Sequence, residues 1–125
     1  MSNFTAGAEQ AFLDEVAEAA GKDPIDFRLE LFERAIKDPV GEEHEYDAER
    51  YAGVLKLVKE KASWGETKPE IYRGVAAYFC HSTYVAEVFD MVMKNGKPTV
   101  QKVWCAVDCG IVVNRDAAKN MIQGG

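Results

Sequence analysis

Tyr84-Val85-Ala86-Glu87-Val88-Phe89-Asp90-Met91-Val92-Met93-Lys94-Asn95-Gly96-Lys97-Pro98-Thr99-Val100 is the stretch that settles the architecture. Its apolar and β-branched residues alternate, and a strand sends successive side chains to opposite faces. Val85, Glu87, Phe89, Met91 and Met93 therefore share one face, and Tyr84, Ala86, Val88, Asp90 and Val92 the other. Asn95-Gly96 supplies the two left-handed residues of a type I′ hairpin turn, whose twist matches that of the strands it joins. A further strand over 99–107 follows, with Pro98 at its start, where a missing N–H is tolerated. Residues 71–80 show the same period and make the strand that precedes 83–94. Both faces of 83–94 are largely apolar, which suggests a sheet covered on both sides, more than the three helices of this chain could achieve alone.

Toward the N-terminus the period changes to that of a helix. Residues 8–20 place Phe12, Leu13, Val16, Ala19 and Ala20 on one stripe, and Gly21 offers a left-handed stop. Asp23-Pro24 restarts the chain as an N-cap followed by a proline at the first helical position, and Asp26 adds a carboxylate to the first turn. Ile25, Leu29, Phe32 and Ile36 form the second helix's apolar face, and Pro39 and Gly41 end it. Residues 37–46 read as an acidic surface connection. Asp47 caps a third helix with the face Tyr51, Leu55, Val58 and Ala62, closed by Trp64-Gly65, and residues 66–70 make a second loop. Met1-Ser2-Asn3-Phe4 carries no structural logic of its own. Beyond the strands, an Asp108-Cys109-Gly110 turn leads to Asn114 and a last helix from Arg115. The expected fold is α+β: a helical hairpin and a third helix packed on a mainly antiparallel sheet of about three strands, with a short C-terminal helix. Residues 1–125 form one domain, helical over 1–66, with the sheet and last helix over 67–125.

Composition narrows the function. A chain of 125 residues, 47% hydrophobic and 29% charged, has room for a modest core. No apolar run approaches the roughly 20 residues that cross a bilayer, so a soluble chain, cytoplasmic or periplasmic, is expected. Residues 1–66 hold sixteen acids and eight bases, and residues 67–125 hold five and seven, giving −8 and +2. No basic stripe interleaved with aromatics is present, which argues against nucleic acid. The three cysteines form no C-x-x-C pair, so neither a zinc nor an iron–sulfur site is expected, and Cys105 and Cys109 would stand about 13 Å apart on an extended strand, too far for a disulfide.

Several polar groups invite chemistry and have plainer readings. Cys80 and His81 resemble a nucleophile and base, but adjacent strand residues face opposite ways, which predicts no direct pairing. His44 reads as a solvated side chain in an acidic loop. Glu42, Glu43, Glu45 and Asp47 lack the glycine-punctuated spacing of a calcium loop. Trp64 and Trp104 read as core or interface anchors.

The most informative stretch is Ala106-Val107-Asp108-Cys109-Gly110-Ile111-Val112-Val113-Asn114-Arg115-Asp116, followed by Met121-Ile122-Gln123-Gly124-Gly125. It resembles the A-V-D-C-G-x-x-V-N-P-D-x-x-x-x-Q-x-E-G-G segment of the molybdopterin-binding large subunits of the molybdenum hydroxylase (xanthine oxidase and aldehyde oxidase) family, in particular isoquinoline 1-oxidoreductase beta-like proteins. Asn3 to Ala6, Glu9 to Val16 and Ala20 to Arg28 resemble that family's helical hairpin, and Ser82 to Val88 its S-Y-V-A-x-V strand. The sequence departs from the pattern at Arg115, where the family has proline, at Met121, where it has the glutamine that approaches the pterin, and at Gln123, where it has glutamate.

The resemblance implies that Asn114, Met121, Gln123, Gly124 and Gly125 lie at the cofactor. A strand ending in a glycine turn and feeding a helix presents free N–H groups suited to a phosphate or pterin. It also implies a molybdopterin cofactor, in the cytosine dinucleotide form, and hydroxylation of an aldehyde or N-heterocycle with oxygen from water. The implied partners are the remainder of the same large chain together with an iron–sulfur domain or subunit. The family's base glutamate and its other cofactor-holding stretches lie beyond the matched segment. The chain is therefore expected to be a fragment that neither binds the cofactor tightly nor turns over substrate alone. A different class of reading is a non-catalytic α+β domain that docks a partner through its acidic helices.

Overall fold

The computed structural model describes residues 2–39, 41 and 46–124, with side chains from Phe4 onward. The elements run α1 (Ser2–Ala19), α2 (Pro24–Lys37), α3 (Ala48–Lys61), β1 (Tyr72–Cys80), β2 (Thr83–Lys94), β3 (Lys97–Asp108) and α4 (Arg115–Gly124). The sheet is antiparallel in the order β1-β2-β3, with Ala77 opposite Ala86 and Ala86 opposite Ala106. The expected α+β class is observed. His44, Glu42, Glu43, Glu45 and Gly125 lie outside the described residues. No described helix is long and apolar enough to cross a membrane.

The local signals explain the joints. Asp23 caps α2 by accepting from the N–H groups of Ile25 and Asp26, and Asp47 caps α3 by accepting from Arg50 N–H. Gly21, at φ +64°, ends α1 with the paired bonds Lys22 N–H to Ala17 O and Gly21 N–H to Glu18 O, so the orphan carbonyls of the last turn are satisfied. Asn95 and Gly96 take φ +51° and +73°, the conformation a type I′ turn requires.

The core lies between α3, backed by α2, and one sheet face. Ile25, Leu55, Val58 and Val88 are its largest fully buried side chains, and Tyr84, Ala86 and Val88 face inward from β2. Arg73 on that face reaches Asp90 at 2.8 Å and the carbonyls of Ala62 and Ser63, joining the sheet to the end of α3.

Three readings are corrected. Helix α1 begins at Ser2, so residues 2–7, which the sequence left out of the helix, belong to it. Its buried face carries Gln10 and Ala17, not Phe12, which is 63% exposed, nor Ala19 and Ala20. Gln10 faces inward because its amide oxygen accepts from Arg28 Nε and from the N–H of Ala77 on edge strand β1, a stronger demand than Phe12's apolarity. Helix α3 is closed by Ser63 in the left-handed conformation, with Trp64 N–H bonded to Lys59 O; Gly65 is not the stop. Among the described residues the sheet is covered fully on one face, in line with helices too few to cover both: Tyr72 and Val103 on the outer face stay 62% and 44% exposed. The two tryptophans pack against the core as expected, and the Trp64 indole donates to Asp23.

Candidate functional site

The C-terminal turn is built from residues far apart in sequence. Asp108 ends β3 opposite Tyr84. Arg50, in the first turn of α3, grips it with two bonds, Nε to Oδ2 at 2.9 Å and Nη2 to Oδ1 at 2.7 Å, the fork geometry that fixes orientation as well as charge. The guanidinium also lies 4.6 Å over the Tyr84 ring, and Tyr84's hydroxyl accepts from Asp47 N–H at 2.7 Å. Gly110 turns back at φ +77° and donates its N–H to Asp108 Oδ1. The Arg50 hydrogen bonds, then the Gly110 N–H, hold the Asp108 carboxyl down at about 2, and Asp108 in turn holds Arg50 firmly cationic.

Beyond this anchor Ile111 and Val113 stand almost wholly in solvent. Asn114 then starts α4, its side-chain oxygen accepting from Ala117 N–H at 3.0 Å. No residue of α4 is buried. The helix lies across the outer sheet face, leaving a groove of about 730 Å³ whose walls include Glu87, Phe89 and Cys105 from the strands and Arg115, Lys119 and Gln123 from the helix. Arg115 and Lys119 are one turn apart and so share a side of α4. Burial, followed by the neighbouring charge of Glu87, pushes the Cys105 thiol up to about 11.

The structure thus separates the residues implied by the resemblance. Gln123 lines the groove. Asn114 is occupied as the cap of α4. Met121 is 79% exposed and lies off the groove, and Gly124 ends the helix in solvent; Gly125 is not described. Sequence reasoning missed Lys119 and Arg50. The first was accessible from its four-residue spacing to Arg115; the second carried no signal, since 58 residues separate it from Asp108. Two cations and an amide are donors of the kind a phosphate or a pterin edge accepts from, so this side of the groove fits part of such a cofactor, with Glu87 as the one opposing charge. Among the described residues no group of three or more His, Cys, Asp or Glu could hold a metal ion.

The Cys80–His81 reading is overturned. His81 is not on a strand: it and Ser82 form a two-residue turn with φ +50° and +59°, and that backbone rotation brings Nδ1 to 2.9 Å from Cys80 Sγ.

Over 94% of its length the chain is 29% identical to a protein named as the beta chain of isoquinoline 1-oxidoreductase, from Brevundimonas diminuta, covering 14% of it. Over 97% it is 33% identical to a membrane-bound aldehyde dehydrogenase (pyrroloquinoline-quinone) of Gluconacetobacter polyoxogenes, covering 17%. Over 94% it is 27% identical to a nicotinate dehydrogenase subunit from Pseudomonas putida, covering 10%. The chain therefore spans less than a fifth of each of these relatives. No family model and no solved structure matches it.

Proposed function

We propose that the chain, similar over most of its length to an isoquinoline oxidoreductase subunit and two dehydrogenases, is the part of a molybdopterin-binding subunit of a molybdenum hydroxylase that lays helix α4 beside the cofactor. The observation that carries this reading is similarity across 94–97% of the chain to three proteins named as oxidoreductases. The bound cofactor would supply the oxidation of an aldehyde or N-heterocycle with oxygen from water, its electrons passing to an iron–sulfur partner. The chain's own residues position. Arg50 and Asp108 lock the turn, Asn114 sets the start of α4, and Arg115, Lys119 and Gln123 offer donors to the pterin or its phosphates. The base glutamate and the rest of the cofactor cradle lie elsewhere in such a subunit, so the 125-residue chain alone is a fragment without activity. The docking alternative is weaker because Asp26, Glu30 and Asp14 are already ion-paired to Lys59, Lys22 and Arg28.

One relative is named for pyrroloquinoline quinone, so the test must tell the two cofactor classes apart. The protein is purified from its source under native conditions, its metal content measured by mass spectrometry, and dye reduction assayed with aromatic aldehydes and N-heterocycles. Molybdenum bound in proportion to the chain, with substrate-dependent dye reduction, is expected. A preparation free of molybdenum, or one whose activity follows a quinone, overturns the reading. The isolated chain is expected not to retain added molybdopterin cytosine dinucleotide on gel filtration; stoichiometric retention would overturn its standing as a fragment.

A further inference from the structure

Cys80 and His81 close the β1–β2 hairpin at the end of the molecule's edge strand. The turn is made of two non-glycine residues in the left-handed region, a conformation most L residues avoid. Its consequence is a contact that strand alternation forbids: the imidazole Nδ1 stands 2.9 Å from the Cys80 sulfur. His81 is exposed and Cys80 half-buried, so the pair is open to small solutes while its geometry is set by the turn, and the His81 carbonyl accepts from Thr83 Oγ1 across that turn. The other two thiols differ. Cys105 sits on the outer face beside Glu87, whose charge opposes a thiolate. Cys109 is exposed, and the one described imidazole is spent on Cys80.

We propose that Cys80, with His81 as its base, is a thiol–disulfide exchange site that accepts a low-molecular-weight disulfide of the glutathione class. The Cys80 proton passes to His81 Nδ1, and the sulfur attacks one sulfur of the disulfide. The S–S bond breaks as the new one forms. The departing thiolate takes the proton from the imidazolium beside it, leaving a mixed disulfide on Cys80 and one free thiol. Two electrons move from the Cys80 sulfur to the released thiol, and the disulfide is the oxidant. A neighbouring imidazole serves both halves of this exchange, activating the attacking sulfur and protonating the leaving one.

The experiment treats the purified chain with oxidised glutathione and follows each cysteine by peptide mass mapping over time. Cys80 is expected to gain a glutathionyl group first, about tenfold faster than Cys109, a modest share of what a positioned base contributes in an active site. His81→Asn keeps a residue that tolerates the left-handed turn, and circular dichroism verifies that the fold is retained. That variant is expected to lose the advantage, and added imidazole to restore it. Modification of Cys109 before Cys80, or a Cys80 rate unchanged in His81→Asn, overturns the proposal, as does a slowed rate that imidazole fails to restore.

Discussion

At the scale of single residues, charge pairs hold this chain where apolar contacts are thin. Arg28 is 2% exposed, and its guanidinium spans Gln10 Oε1, the carbonyls of Gln10 and Pro24, and Asp14. That joins α1 to α2, a seam that is otherwise small. The Asp108 grip is different because both partners are about a third exposed, so solvent screens it and its worth is orientation rather than bulk stability. Its pH dependence has a definite sign. The folded carboxyl titrates near 2, below the ordinary value of about 3.9, so its contribution is fully present above about pH 4 and is lost as pH falls toward 2. Amide exchange at Gly110 is expected to accelerate over that window in the wild type, and Asp108→Asn to remove the pH dependence; a flat wild-type profile would show that the turn does not depend on the carboxylate. Neither Arg28's bonds to Gln10 nor Arg50's to Asp108 were legible in sequence, since each joins residues 18 or 58 apart, a separation that carries no periodic signal. Asp23 and Asp47 were legible as caps because a cap acts within three residues of itself.

At the scale of elements, what was read correctly has strong local chemistry and what was misread does not. Strand β2 runs over residues 83–94 as expected, because period-two alternation and Asn95-Gly96 agree on both its faces and its end. The face of α1 was misplaced because its apolar residues are scattered round the helix and the deciding contact is polar. Helix α4 is the element most open to test. Ten residues with none buried make a helix that packing hardly supports, so its cap carries an unusual share of its stability. Asn114→Ala is expected to cost α4 about 1 kcal/mol, seen by NMR as lost helical shifts and faster exchange over Arg115–Gly124. The midpoint of global thermal unfolding should hardly move. A large drop in that midpoint would mean that α4 is packed more tightly than its exposure allows.

At the scale of the whole molecule, the sheet has one finished face and one unfinished. Tyr72, Met91, Val100 and Val103 lie toward the outer side, where α4 and the start of α1 approach without burying them. An apolar face of that kind in an isolated chain favours association, so sedimentation at graded concentration is expected to show self-association, weakened by Val103→Lys; a chain that stays monomeric at high concentration would mean that α4 covers enough. The sequence by itself determined the α+β class, the three strands and their tightest turn, the caps Asp23 and Asp47, and the family resemblance of the segment from Ala106 to Gly125. These are local quantities, set by side-chain period and by backbone conformations that few residues adopt. Only the tertiary structure decided which sheet face is buried, that Arg50 holds Asp108, that Gln123 and Lys119 rather than Met121 line the groove, and that Cys80 meets His81. The first three depend on packing between distant segments, whose hydrogen bonds and desolvation are settled only when the chain closes on itself. The last depends on a two-residue turn that reverses the side-chain direction which alternation alone would assign.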